Sequence, residues 1–572
     1  MVKRWVVKTS DDTTVQELSR TLGICPVTAG ILACRGIDST ASGAQFLAPT
    51  LSAMIDPFLL KGVGDAVERL LQALKTGETV CVYGDYDVDG ISGTALLVSF
   101  LRHVGFTCTY FIPNRFDDGY GLNEGALRQI VASGATLIIS VDCGITAISE
   151  AVYCRQAGAD LIILDHHHPG ESIPDAAAVV NPLQPGCRYP FKMLAGVGVA
   201  YNLLVALRSC MRRDGLFAAG SVPDLREWLD LVALGTIADV VPLIGQNRMY
   251  AFFGLQRLEH GSRTGISALK KSAGITGAVS CGQVGFRLAP RLNAAGRLES
   301  AVPGVELLLD RREDVCSLIA GELHTANAER QTIERSILDS AVAMVEGGGT
   351  YPACRSIVLA SPDWHQGVVG IVASRLVERY HRPTILLAID DAGNAKGSGR
   401  SIPGFHLLEA LNVCSGHLER FGGHRYAAGV GLKADSIDGF AASFEAAAGT
   451  ILGDTELVPL LDIDAEVRPE QVDLALAREL QRMEPFGAGN PEPALLMRGV
   501  TVLERRIVGD GHLKLRLSAE GKNFNAIAFR QAECATDGLL DIAFFPEENS
   551  WNNTTTLQLR IKAIRKGGDN AA

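Results

Sequence analysis

The 572-residue chain is too long for one hydrophobic core, and at about 100–200 residues per domain it divides into three to five units. With 47% hydrophobic and 20% charged residues it is neither disordered nor fibrous, and a net charge of −11 argues against a general nucleic-acid coat while leaving a local basic groove open. The opening residues 1–8 turn polar before any long apolar core and the run 194–207 is too short and interrupted to span a bilayer, so we expect a cytoplasmic protein with no signal peptide and no membrane span.

Residues 1–60 hold helical patterns around 15–22 and 28–34, then Pro49 and Pro57, and read as a packing arm without chemistry. An amphipathic helix over 65–74 leads into a strand at 79–83. That strand runs straight into Asp85-Tyr86-Asp87-Val88-Asp89-Gly90, and Gly90 opens an apolar helix over 91–101. Three carboxylates this close repel one another, and a divalent cation would neutralise them; the alternative is a solvated acidic turn. An EF-hand loop is excluded, because a strand flanks the site and Leu96 stands where that loop needs Glu.

Buried-type strands follow at 136–141, ending in Asp142-Cys143-Gly144, and at 160–164, ending in Asp165-His166-His167-His168. Taken singly, Asp142 is equally a helix cap, Asp165 a turn residue and His168, before Pro169, a solvated one. Strands alternating with helices imply a parallel sheet, however, and such sheets bind ligands beyond the carboxyl ends of their strands, so the acids and histidines converge on one crevice. The apolar helix 228–237 closes on Asp239, where a carboxylate meets the negative end of the helix dipole; a metal or partial exposure accounts for it. Gly196-Val197-Gly198 has no strand before it, so helix packing explains it better than a dinucleotide site. The 13 cysteines are scattered without a Cys-x-x-Cys pair and suit reduced thiols.

Residues 313–346 form one long helical pattern that should tie two domains across a cleft, and 351–450 read as a second α/β unit with strands at 356–360 and 384–389 and a helix at 368–380. Two glycine-rich elements, 396–401 and Phe421-Gly422-Gly423-His424, are either phosphate-cradling loops or ordinary turns. From about 456 short alternating strands form a small β-barrel pattern, with Lys514, Arg516, Arg560 and Lys562 on one face; a single-strand-binding barrel and a plain structural one fit equally.

The segments 85–90, Val141-Asp142-Cys143-Gly144, 165–167 and Gly235-Thr236-Ile237-Ala238-Asp239-Val240-Val241-Pro242-Leu243 resemble, in order, the four motifs of the DHH phosphoesterase superfamily. The segments 112–122 and 289–298 narrow the resemblance to the RecJ type, the single-strand-specific DNA exonucleases, from about residue 15 to the C-terminus. It implies an α/β multidomain protein: an N-terminal helical arm (1–60), a parallel-sheet DHH catalytic domain (61–310), a connecting helix (311–347), a second α/β, DHH-associated nucleic-acid-binding domain (348–455) and a C-terminal OB-like β-barrel (456–572).

The resemblance further implies 5′-to-3′ hydrolysis of single-stranded DNA to 5′-mononucleotides in repair and recombination, with two Mn2+ or Mg2+ ions. Asp89, Asp142, His166 and Asp239 would hold one ion; Asp87 and Asp142 the second, with Asp85 coordinating it or in its outer shell. His167 would assist at the phosphate or support a ligand. Tyr83 stands where pyrophosphatase-type relatives have His, which leaves the second ion fewer protein ligands. Arg115, Arg297, Ser398 and Arg400 match positions lining a 5′-phosphate pocket, His424 matches one that faces the active site, and Lys514, Arg516 and Phe524 are candidate barrel contacts to the strand. Single-strand-binding protein and a helicase are implied partners of a monomer. Two alternatives remain: a DHH phosphodiesterase of short oligoribonucleotides or cyclic dinucleotides, against which the barrel argues, and a non-catalytic single-strand-binding replication scaffold, against which the intact carboxylates argue.

Overall fold

The computed structural model describes residues 3–114, 121–218, 221–261, 263–349, 351–454, 457–509, 511–534, 537–551 and 554–568. These form two compact units. One is built on Trp5–Gly296, Ser300–Ala320 and the chain from Leu461 onward; the other on Gly321–Leu460 with Arg297–Glu299. The chain passes from one to the other along an unbroken helix, Glu313–Gly347.

A five-stranded parallel sheet organises the first unit, in the order Thr107–Phe111, Thr79–Gly84, Leu137–Val141, Asp160–Leu164, Ala178–Val180. Counted along the chain this is 2-1-3-4-5, a doubly wound order whose connections diverge between Thr79–Gly84 and Leu137–Val141. The strands read as unbroken apolar runs because both faces are covered. Cys81, Ile138 and Ile163 pack against Leu127, Ile130 and Cys154 of two helices on one face, and Val88–His103 with Gly196–Arg213 covers the other.

The same unit holds a closed five-stranded barrel of Leu495–Val508, His512–Ala519, Lys522–Ala528, Thr554–Lys566 and Leu540–Trp551, in which the first strand pairs back to the last. Leu513, Leu515 and Leu517 point inward between exposed Lys514 and Arg516, the period-two pattern of a half-buried strand. The barrel core is continuous with Leu18, Ile31, Leu32 and Leu47, so the N-terminal helices Asp12–Leu22, Pro26–Cys34 and Thr40–Leu47 close its apolar surface. Arg248, on the helix Gly245–His260, ties arm and linker to the catalytic part by donating to the carbonyls of Phe46, Arg482 and Met483.

The second unit has a mixed sheet ordered Arg420–Gly423, Ala427–Lys433, Asn394–Arg400, Thr384–Ile389, Ile357–Ser361, only the last pair being parallel. The glycine-rich elements read as loops are therefore strands. A Cβ on Gly397 would lie 2.4 Å from the Leu386 carbonyl oxygen, so close packing rather than turn formation calls for glycine there. No helix among the described residues is long and apolar enough to cross a membrane.

Candidate active site

The sheet itself aims the acids. Each of three neighbouring strands extends its ladder by one hydrogen bond onto the residue that ends it: Asp85 N to Val141 O (3.3 Å), Asp142 N to Leu164 O (2.9 Å) and Asp165 N to Val180 O (3.1 Å). Asp142 does so with φ of +66°, a conformation costly for a non-glycine residue and held only where the surroundings over-determine it.

Asp87 caps the helix Val88–His103, its Oδ1 accepting from the amides of Asp89 (2.9 Å) and Gly90 (3.2 Å). Asp89 reaches from the first turn of that helix to the start of another, Gly196–Arg213, where Gly196 N (2.6 Å) and Val197 N (2.9 Å) donate to its two oxygens. The positive end of the second helix thus holds a carboxylate only 1% exposed. A Cβ on Gly196 would sit 2.8 Å from Asp142 Oδ1, and one on Gly235 2.7 Å from Asp89 Oδ1, so both glycines make room for the acids. Asp239 follows the helix Leu229–Ala238 as its C-cap.

His166 Nε2 lies 3.1 Å from Asp142 Oδ1, 3.6 Å from Asp239 Oδ2 and 4.0 Å from Asp89 Oδ2. Three sets of ligand atoms each fall within 4.8 Å of one another: Asp89, His166 and Asp239; Asp85, Asp87 and Asp142; and Asp142, His166 and His167. The geometry therefore brings together every sequence-derived metal candidate.

Burial, then the neighbouring Asp87, pushes the Asp89 carboxyl up to about 7. Burial and the surrounding aspartates raise Asp142 and Asp239 well above the usual range. Burial and the charge of His167 lower His166 to about 4, so at neutral pH its imidazole is uncharged and offers a lone pair. Asp142 Oδ1, His166 Nε2 and Asp239 Oδ2 are buried without a well-formed hydrogen bond. Mutually repelling carboxylate oxygens, a neutral imidazole and unsatisfied buried acceptors are the donor set that hard divalent cations fit.

Several supporting contacts are not visible in the sequence. Asp165, 1% exposed, accepts at Oδ1 from the amides of His166 (2.7 Å) and His167 (3.1 Å), and at Oδ2 from Ile145 N (2.8 Å). Its Oδ1 also meets His167 Nδ1 at 2.7 Å. Burial opposes protonation of His167, but the bond and charge of Asp165, with Asp85 and Asp87, outweigh it and raise its pKa. Asn293, within the segment 289–298, accepts from Val88 N at 3.1 Å and so braces the acidic loop across 205 positions of sequence. Only the Asp165-His-His adjacency hinted at any of this; the amides of Gly196 and Val197 gave no signal. Tyr83 is fully buried, its hydroxyl donating to Gly121 O and accepting from Asn123 Nδ2.

In the other unit Arg400 donates to Ser398 Oγ and to Gly399 O, both at 2.8 Å. A Cβ on Gly370 would lie 2.9 Å from Ser398 Oγ and 3.3 Å from an Arg400 terminal nitrogen, which sets both on the first turn of the helix Val369–Tyr380. Arg297 donates to Gly367 O (3.2 Å), just before that helix. Guanidinium groups and a serine at a helix N-terminus form an anion-binding arrangement. His424 is exposed at the end of the strand Arg420–Gly423.

Arg115 lies outside the described residues. Lys514 and Arg516 are exposed on the barrel, Arg516 paired with Glu504 at 3.0 Å. Phe524 is a correction: only 4% exposed and packed in the barrel core, it presents no ring face to a nucleic acid base. Arg560 and Lys562 are likewise engaged, with Glu492 and, for Arg560, Glu547.

Comparison with known proteins agrees with this geometry. The "DHH family, N-terminal domain" model matches residues 79–236, the "DHHA1 domain" 353–450 and the "RecJ OB domain" 463–563. The single-stranded-DNA-specific exonuclease RecJ of Bacillus subtilis is 40% identical over 98% of this chain and 70% of its own length. That of Escherichia coli is 38% identical over 94% of this chain and 92% of its own. The crystal structure of RecJ in complex with Mn2+ from Thermus thermophilus superposes with a TM-score of 0.84 at 34% identity, covering 98% of this chain and 79% of that one. The chain belongs to the family of single-stranded-DNA-specific RecJ exonucleases.

Proposed function

We propose that the protein hydrolyses single-stranded DNA from its 5′ end, releases 5′-mononucleotides and acts in DNA repair and recombination in the cytoplasm as a monomer. The observation that carries this reading is the convergence of Asp85, Asp87, Asp89, Asp142, His166 and Asp239 on the strand ends at the sheet's switch point. The ligand sets support the assignment of Asp89, Asp142, His166 and Asp239 to one Mn2+ or Mg2+ ion, and of Asp87 and Asp142, with Asp85, to a second. Such ions, when bound, lower the pKa of water and neutralise charge on the phosphoryl and leaving oxygens.

The chain's own groups do the rest. His166, uncharged, keeps its Nε2 lone pair toward the carboxylates. Asp165 holds the Nδ1 proton of His167, which leaves Nε2 to hydrogen-bond a phosphoryl oxygen or to move a proton. The Gly196 and Val197 amides fix both oxygens of Asp89, and Asn293 fixes the backbone at Val88, so the acidic loop is preorganised before substrate arrives. Ser398 and Arg400, with Arg297, supply donors for the terminal 5′ phosphate, a role that Arg115 carries by resemblance alone, and the exposed Lys514 and Arg516 track the backbone of a longer strand. Recruitment by single-strand-binding protein and a helicase completes the reading.

The test is digestion of single-stranded DNA labelled at either end, with Mn2+, beside Asp89→Ala. Release of mononucleotides from the 5′ end by wild type alone is expected. Digestion from the 3′ end, or an active Asp89→Ala protein, would overturn the proposal.

A further inference from the structure

The two helices that carry metal-centre carboxylates share a second feature at their opposite ends. Val88–His103 starts beside Asp87 and Asp89 and finishes with Ser99 and His103; Leu229–Ala238 finishes at Asp239 and starts after Trp228. Between those far ends lies a polar cavity of about 390 Å³, within the roughly 300–1,000 Å³ of small-molecule sites. Ser99 is ten positions beyond Asp89 on one helix, so at 1.5 Å per residue the cavity sits roughly 15 Å from the metal centre.

Its wall is fixed and aromatic. Trp228 Nε1 donates to Ser99 Oγ at 2.8 Å, and the His103 ring meets Trp228 edge-on with centroids 5.8 Å apart. Its three arginines and three carboxylates balance in number but are not paired with one another throughout. Asp230 is taken by Arg263, with Nε to Oδ2 at 2.8 Å, and Asp310 by Arg312 at 2.6 Å. Glu227 is exposed at the rim. Arg257 and Arg311 also line the cavity, and neither has a carboxylate partner among the described residues. Arg257 Nε is buried there without any hydrogen-bond partner, an arrangement that persists only at a cost unless something accepts from it. The Arg257 and Arg311 guanidinium groups suit the oxygens of a phosphate monoester, and the exposed His103 ring, backed by the buried Trp228, suits a planar base.

We propose that this cavity is a second ligand site, separate from the metal centre, which takes a nucleoside 5′-monophosphate with its phosphate on Arg257 and Arg311 and its base against Trp228 and His103. The phosphate half follows from the cavity alone; the nucleoside half rests on the exonuclease reading, whose product it would be.

Equilibrium dialysis in EDTA tests it, with dAMP, inorganic phosphate and 2′-deoxyadenosine as probes, on wild type, Arg257→Gln, Arg311→Gln and Asp142→Asn. One dAMP per chain is expected when the same measurement is made with Arg400→Gln, which removes the proposed 5′-phosphate grip of the catalytic site, with phosphate held more weakly and deoxyadenosine not held. Arg257→Gln or Arg311→Gln should weaken dAMP about tenfold or more, whereas Asp142→Asn should leave it unchanged. Arg311 is exposed, so its variant keeps the fold even should Arg257→Gln not. No dAMP binding at millimolar concentration, binding indifferent to both arginines, equal binding of deoxyadenosine or of phosphate alone, or loss in Asp142→Asn would overturn the proposal. None of these measurements requires cleavage, so a failure of the exonuclease reading appears separately, in the labelled-DNA digestion.

Discussion

Gly196→Ala adds one methyl group at the point where two carboxylates and a helix start meet. The new Cβ would lie 2.8 Å from both Cβ and Oδ1 of Asp142 and 3.0 Å from its Cα. Ordinary contact begins at 3.4 Å, so some 0.6 Å (3.4 less 2.8) must be found. Asp142 cannot yield it freely, because its backbone is already held at a φ of +66° by the ladder bond to Leu164. The helix start cannot either without lengthening the 2.6 Å bond from Gly196 N to Asp89. Overpacking of this kind costs about 1–3 kcal/mol of stability, and a misplacement approaching 1 Å costs up to about 10²-fold in rate. We therefore expect Gly196→Ala to remain folded, with a thermal midpoint lowered by a few degrees. Its kcat/KM on 5′-labelled single-stranded DNA should fall roughly 10–100-fold and its Mn2+ affinity should weaken in calorimetry. Wild-type turnover and wild-type Mn2+ affinity in this variant would refute the argument that the glycine exists to let the acids approach.

Asp165→Asn keeps the shape but removes the charge that holds the His167 proton and sets an NH2 group either against the donors on Oδ1 or against Ile145 N, so His167 loses its support; kcat should fall about 10–100-fold with Mn2+ stoichiometry unchanged, and an undiminished kcat would contradict the role. The Asp89 carboxyl, raised to about 7, should make the EDTA-treated protein lose stability relative to Asp89→Asn as pH rises from about 4 to 7. In that window the unfolded chain has released the proton that the folded one still binds, and saturating Mn2+ should abolish the difference; chemical denaturation across the pH range checks the sign. Phe524→Ala should lower barrel stability by about 3–5 kcal/mol as a core truncation, and unchanged stability with lost DNA binding would contradict its burial.

The catalytic sheet was legible because its strands are apolar on both faces and each ends in a group that a strand interior would not tolerate. Asp239 was legible because a carboxylate at a helix C-terminus opposes the dipole. What escaped depends on proximity between distant positions: the Gly196 and Val197 amides meet Asp89 across more than 100 residues, and Asn293 reaches Val88 across 205. The N-terminal helices are covered by barrel residues some 450 positions away, which no local periodicity reports. Phe524 could have been placed correctly, since Phe524, Ala526 and Ala528 alternate with Asn523 and Asn525 and so share the inward face. The glycines at 397 and 399 look like a loop because turns and tightly packed strands use glycine for different reasons and leave the same letter.

Titration of Mn2+ into the metal-free protein by calorimetry bears most directly on the claim that the strand-end acids form one two-ion centre. Two ions per wild-type chain are expected, one in Asp239→Ala, and neither bound tightly in Asp142→Asn, whose carboxylate the proposed assignment gives to both ions. A single ion in the wild type, or two ions retained by Asp142→Asn, would contradict it.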